Sequence, residues 1–538
     1  MRKIQYLFAT LVLSLGLTSC GDSFLTQYPE GGVLLQEQYE KLSDRLVGSL
    51  RGIYSKLYEY GNHDTFGQRS IDMYGDIQCG DMALKKSNYG WFESYERGYF
   101  YAYARSYIWS YYYDIINLTN LCENAVEEDK TAIFDAIITG DPEDEIALNG
   151  YYYGQILALR GWAYAGLLNY YCDPRDPSTT GLDEVKAVPV YVGKDVKAGT
   201  LGAPLSTVAE VYSRVYEDLW EAIELLDFYS QFNNRESKLE IDADVARLIL
   251  AYAMLNHGDK TEIIADNKNC YQIALKLSEE VINRGRYPML KYAELTTTGF
   301  CDVNTANWMW GEDVTVENTT ALGSFFGQVD IHTYSYAAAG DTKGIDSKLY
   351  DDIVATGWDA RKNWFRSSDQ KFPFCPDGKF YNPKTVHTTS LGEVDRDWLC
   401  DNIFMRVELA YLIAAEAAWS IGDNTTAVKY IKALCDERVI EGKEAAYATW
   451  TAKLTGTDAV KAAIVYNWRV EMWGEGFGLQ TLRRLEKEVT LGKNHLSRSD
   501  QKININEQAT REQFQCQIPT SETRYNPQLS KTTLTHNN

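Results

Sequence analysis

Positive charge is scarce in this chain. Against 75 Asp and Glu there are 53 Lys and Arg, so the net charge is -22 and the isoelectric point lies near 4.8. Such a surface repels phosphate backbones and anionic lipid, so no nucleic-acid partner is expected. Histidines number six and lack H-E-x-x-H or any other metal-ligand spacing. Neither G-x-S-x-G nor a P-loop occurs. No metal and no cofactor are therefore expected. The ten cysteines contain no C-x-x-C. With Cys20 set aside the remainder is odd and cannot all pair, and most read as small buried hydrophobes. Beyond the first twenty residues no apolar run is long enough to cross a bilayer.

Those first residues, MRKIQYLFATLVLSLGLTSC, have a basic start, a short apolar run from Leu7 to Leu17 and a cysteine directly after it. Residues 1–19 read as a secretory leader to be excluded from the fold. Leu17-Thr18-Ser19-Cys20 resembles a bacterial lipoprotein signal, which implies lipidation at Cys20. Residues 20–36, with Tyr28-Pro29 and Gly31-Gly32, then form an extended tether, and 37–538 form one body.

The most regular part of that body is FMRVELAYLIAAEAAWSIGDNTTAVKYIKALCDER, from Phe404 to Arg438. Apolar and small residues recur there at helical spacing. Gly422 stops one helix, and Asp423 or Asn424 caps the next. So short a link forces antiparallel packing. Ala246, Ala251, Ala253, Gly258 and Asp259 repeat the rhythm of Ala410, Ala415, Ala417, Gly422 and Asp423. Ala158, Gly161, Ala163 and Ala165 follow a similar plan. The fold class predicted is mainly α, a tetratricopeptide-like helical-repeat scaffold with a loop-rich mixed insertion. Helix pairs are placed at about 37–128, 151–228, 242–284 and 403–438, with Ser206 capping the helix that runs to Phe228. Loop-rich blocks fall at 61–100 and 286–402, and the second is too long for a simple loop.

A carboxylate pair at Glu471 and Glu475 shares one helical face, and paired carboxylates are what glycoside hydrolysis needs. Catalytic carboxyls must flank a sugar from opposite sides, and arginine lowers a carboxylate pKa instead of preparing an acid. Arg406, Arg469, Arg483 and Arg484 are the expected neighbours. Arg406, Glu408, Arg469, Glu471 and Glu475 are therefore read as a structural ion-pair network, and no catalytic residue is assigned. The GEGFG at Gly474–Gly478 is a turn between helices, not a dinucleotide loop.

Aromatics are abundant in kind as well as number: 39 Tyr and 13 Trp against 18 Phe. Flat rings with polar edges suit sugar faces. In the irregular blocks, Asn88, Tyr89, Trp91, Phe92 and Tyr95 crowd one loop beside Gly90, and Phe325, Tyr334 and Tyr336 crowd another beside Gln328 and Asp330. These are the candidate glycan-binding residues.

Six segments, in order, resemble the SusD/RagB family of outer-membrane nutrient-binding lipoproteins: CGDSFL from Cys20 with Pro29; LRGWAYAGLLNYY with Val188-Pro189; STVAEVYSRVYEDLWEAIELL; DVARLILAYAMLNHGD with EEVINRGRYPML; RVELAYLIAAEA with RVEMWGEGFGLQTLRR; and IPTSETRYNPQL. Gly161 departs from the family's frequent alanine. The resemblance implies four helix pairs carrying a variable glycan-binding face. It also implies a lipid anchor in the outer membrane facing outward, and a SusC-like TonB-dependent β-barrel transporter as partner. It places the two aromatic loops together on the binding face and makes Trp308 and Trp310 part of a core strand. The function expected is capture of polysaccharide or oligosaccharide for import, without catalysis. An exported glycoside hydrolase, or a scaffold lipoprotein binding only protein, is the alternative.

Overall fold

The computed structural model describes residues 41–529 apart from 173–184, 200–201, 234, 236, 259–261, 263, 266, 333 and 383–398. The leader, Cys20, the tether and Asp259 lie outside the described residues.

The scaffold is a run of helices: α1 (Leu42–Lys56), α2 (Gln68–Cys79), α3 (Ala102–Val126), α4 (Asp144–Tyr171), α5 (Val208–Tyr229), α6 (Ala243–His257), α7 (Cys270–Arg284), α8 (Glu408–Ser420), α9 (Asn424–Asp436) and α10 (Thr457–Glu471). From α3 onward each packs on the next through α9, and α10 closes against α8 and α9. This is the stacked arrangement that small-residue rhythm predicts: no helix buries both its faces alone, so neighbours supply the core. Long side chains would hold such helices apart. A Cβ on Gly161 in α4 would lie 2.8 Å from Leu219 Cγ, and one on Gly150 only 2.1 Å from the Tyr229 ring, both on α5. Glycine at 161 thus sets the α4–α5 spacing.

Local signals explain the helix ends. Gly258 and Gly422 both take the left-handed conformation, with φ of 64° and 89°. Asp423 caps α9 by accepting from the Thr426 amide. Thr207, not Ser206, caps α5, in a reciprocal capping box with Glu210. The first helix ends at Lys56 and a turn at residues 57–58 follows, which leaves Tyr60 in irregular chain. Phe404 is not helical either, because Asn402–Arg406 is a strand and the helix begins only at Glu408.

Among the described residues the strands form three antiparallel pairs. The first joins β1 (Met82–Leu84) to β3 (Lys343–Ile345), with Met82 opposite Ile345. The second joins β2 (Trp308–Glu312) to β4 (Asn402–Arg406) with an irregular register, and Trp308 and Trp310 are fully buried. The third joins β5 (Glu488–Thr490) to β6 (Lys502–Asn504). All nine described cysteines are buried. No described helix is long and apolar enough to cross a membrane.

Candidate functional site: an aromatic surface on two tied loops

The β1–β3 pair decides where the loops lie. The chain leaves β1 into residues 85–91 and enters β3 from residues 330–341, so the pairing brings the two aromatic segments side by side. Lys85 extends the ladder by donating its amide to the Thr342 carbonyl at 3.0 Å. The Asp341 carboxylate accepts from the backbone amides of Asn88 and Tyr89, and the Asn88 side chain donates to the Ala339 carbonyl at 2.7 Å. Beneath them the Lys343 amine is fully buried and donates to Gln328 Oε1, while the Gln328 amide donates to the His63 carbonyl. Burial lowers the Lys343 pKa to about 8.

Rings project from this support. Tyr89 is 50 % exposed, Tyr60 50 % and Tyr334 37 %. Tyr89 meets Tyr336 edge-on at 5.1 Å, Tyr336 meets His63 at 5.4 Å, and His63 meets Trp91 at 5.2 Å. The Tyr336 hydroxyl and His63 Nδ1 share a 2.9 Å hydrogen bond, and Tyr60 stands edge-on to His63. Trp91 is half-buried against the core. Beside it opens a groove of about 600 Å³, with Asn62, Asp64, Tyr99 and Tyr103 on its walls. A separate cavity of about 110 Å³ lies within the helical stack and is too small for a polymer.

Three candidates are corrected. Phe92, Tyr95 and Phe325 are at most 1 % exposed and cannot meet a ligand. Tyr95 stacks on Tyr74 at 4.2 Å, Phe92 lies under the Lys343 amine, and Phe325 lies against the Arg69 guanidinium at 4.0 Å. Gln328 and Asp330 are likewise buried. Tyr60 and His63, which join the ring cluster, lie at the foot of the first irregular block; a tyrosine just past a helix end was the available signal.

The charged residues form a different structure, a knot in the interior. Glu471 takes Arg406 at 2.7 Å, Arg438 at 2.9 Å and Arg361 at 3.0 Å. Arg406 also reaches Glu408 and Glu475, and Glu475 accepts from Lys379 at 2.7 Å. Arg361 pairs with Asp359 as well. Asp359, Glu408, Glu471 and Glu475 thus balance Arg361, Lys379, Arg406 and Arg438. Burial would raise the Glu471 pKa, but Arg438, Arg406 and Arg361 hold it well below the usual carboxylate range. Burial opposes Arg406 and Lys379 at Glu475 too, and the cations again win. A carboxylate so held is no proton donor.

Arg469 is not in this knot. It pairs with Asp81 at 2.7 Å and approaches Glu486 at 3.7 Å. Two residues before Glu471 on one helix, it faces the other way. Arg484 instead pairs with Glu416, and Arg483 donates to the carbonyls of Asn169 and Phe514.

Two family models match: residues 47–250 fit a SusD-like model described as starch-binding associating with outer membrane, and residues 351–534 fit the SusD family. The chain belongs to the SusD/RagB family. No curated protein matches it. The SusD/RagB fold recurs in solved structures. A SusD-like carbohydrate binding protein from Bacteroides vulgatus is 21 % identical, covers 92 % of this chain and 98 % of its own, and superposes with a TM-score of 0.67. A SusD superfamily protein from Bacteroides fragilis is 18 % identical over 92 % of this chain and 100 % of its own, with a TM-score of 0.68. Another from Bacteroides thetaiotaomicron is 19 % identical over 91 % and 98 %, at 0.65. At this identity the likeness is one of fold.

Proposed function

We propose that this SusD/RagB protein is a cell-surface lipoprotein that binds polysaccharide or oligosaccharide and passes it to a SusC-like TonB-dependent β-barrel transporter, without catalysis. The observation that carries the reading is the cluster of Tyr60, His63, Tyr89, Trp91, Tyr334 and Tyr336, three of them exposed and three half-buried, on loops fixed by β1–β3 and Asp341. Rings held in place before a ligand arrives lose little conformational freedom on binding. Asn88 serves the loop and not the ligand, since its side chain is committed to Ala339. Family membership and the carbohydrate-binding description of the B. vulgatus protein support the ligand class. The knot around Glu471 speaks against the hydrolase alternative.

Binding of the purified protein to a panel of polysaccharides tests this. Tyr89→Ala and Tyr334→Ala are each expected to cost about 1–3 kcal/mol of affinity by analogy with base–aromatic stacking, with an unchanged melting temperature because both rings are exposed. Trp91→Ala also removes core packing and is the less clean variant. Wild-type affinity in both tyrosine variants would place the site elsewhere. The anchor is tested by Cys20→Ala, which should move the protein from the membrane to a soluble fraction; unchanged membrane retention would reject Cys20 as the lipid site.

A further inference from the structure

Building on the proposed glycan-binding reading, we infer that the ring cluster and the groove beside Trp91 form one continuous track for an uncharged glycan chain, with Trp91 at the junction and Tyr103 as a distal platform.

Continuity comes from Trp91, which belongs to both parts. On one side it packs on His63, and on the other it walls the groove. Beyond it, Tyr101 and Tyr103 stack at 6.1 Å with 25° between their planes, and Tyr99 and Tyr103 are 42 % and 47 % exposed. Flat rings thus continue past the junction instead of ending at it.

Three residues that line the groove also carry buried polar atoms without partners. Asp64 Oδ1, Trp91 Nε1 and Ser94 Oγ are buried and make no hydrogen bond among the described residues, and all three residues line the groove. The other Asp64 oxygen is engaged by the Tyr101 hydroxyl at 2.6 Å. An unpaired buried polar atom is destabilising because it has given up water without gaining a partner. An acceptor, a donor and a hydroxyl under one groove suit a ligand whose own hydroxyls do both, and Ser94 reaches a new partner by rotation about a single bond. Three such atoms fall along one ring-walled groove, and the hydroxyls of a glycan are partners that a carboxylate oxygen, an indole N–H and a serine hydroxyl can all take.

Charge decides the class of glycan. Asp64 and Glu93 line the groove, and the Arg97 guanidinium there lies 3.4 Å from Glu93. A uronate or sulfate entering would lie beside the Glu93 carboxylate and above the buried Asp64 carboxylate, with Arg97 already paired to Glu93, on a protein of net charge -22. Desolvating like charges together is unfavourable.

The test uses the full chain and a neutral glycan that binds in the panel, supplied as trisaccharide and octasaccharide. Tyr103→Ala should weaken octasaccharide binding about tenfold and leave the trisaccharide unchanged, while Tyr89→Ala weakens both. Unchanged octasaccharide affinity in Tyr103→Ala, with Tyr89→Ala still impaired, would overturn the track and leave the ring cluster standing. No effect of Tyr89→Ala on either oligosaccharide would overturn the cluster and the track together. A sulfated derivative of the same glycan should bind at least about tenfold more weakly at low salt, with the gap narrowed in Asp64→Asn. Equal or tighter binding of that derivative would overturn the assignment to uncharged chains.

Discussion

Two regions of this molecule gather side chains from distant parts of the sequence, and they treat polar atoms in opposite ways. Around Glu471 four carboxylates meet four cations in the interior, and each charge has a partner within hydrogen-bond distance. Around Trp91 the rings stand partly in water, and the groove beside them leaves polar atoms unpaired. The first arrangement joins elements of the fold. The second leaves interaction capacity for something that arrives from outside. Unpaired buried atoms occur in the core too, at Trp308, Trp358 and Trp468 among others, so what sets the groove apart is that its unpaired atoms belong to residues beside exposed rings.

That contrast breaks first at Glu471. Glu471→Gln strips the charge that three arginines share and leaves buried cations uncompensated, which should cost about 3–5 kcal/mol of stability. Denaturant unfolding measures it. A variant as stable as the parent would mean the knot is not a structural joint, and reducing ends released by the parent and lost in the variant would make it a catalytic one.

A smaller effect is expected at Asp341, which belongs to the binding face yet touches no ligand in this reading. Asp341→Ala removes the acceptor for two loop amides, worth about 0.5–1.5 kcal/mol each. It should weaken glycan affinity several-fold through loss of loop order, with the helical circular-dichroism signal intact. Unaltered affinity would show that the β1–β3 pair alone orders the loop.

The mildest change is pH. Burial pushes the Asp76 carboxyl up to about 7 against the amides of Gly476 and Gly478, and pushes Asp72 up to about 6 against Arg69. His495 is raised, because Asp346 and Glu96 outweigh its burial. In the window between the ordinary carboxylate range and pH 7 the folded chain holds protons that the unfolded chain has released, so stability falls as pH rises. Glu471 and Glu475, held low, give stability that is present above their unfolded pKa and lost on acidification below it. The melting temperature should therefore be higher at about pH 6 than at about pH 8, and fall again below about pH 4. A rise from pH 6 to 8 would mean those buried carboxyls are ionised at little cost.

Much of the scaffold was legible because helices repeat. The Ala rhythm, Gly258, Gly422 and Asp423 carry period and punctuation together, and the stack follows from them. The aromatic loops carry no period. Nothing in their order separates Tyr89, which projects outward, from Tyr95 six residues later, which stacks on Tyr74. That distinction depends on β1 pairing with a strand far along the chain. Arg469 was misplaced for another reason: proximity in sequence to Glu471 concealed that positions two apart on a helix face apart. Arg361 and Lys379, inside the second irregular block, gave no spacing that pointed to Glu471 and Glu475.

The tie between Asn88 and Asp341 spans 253 residues. Closing so large a loop is dearer than closing a hairpin, although the added cost grows only with the logarithm of length. Contacts of that separation form late in folding. The ring surface is then completed only when both loops have found their places, and helicity can be present before it exists. A ligand lying across both loops would bind the closed chain alone and draw the whole equilibrium toward it, by about 2.7 kcal/mol at a hundred times its Kd. Occupancy and folding would be one thermodynamic coordinate, read equally from either end.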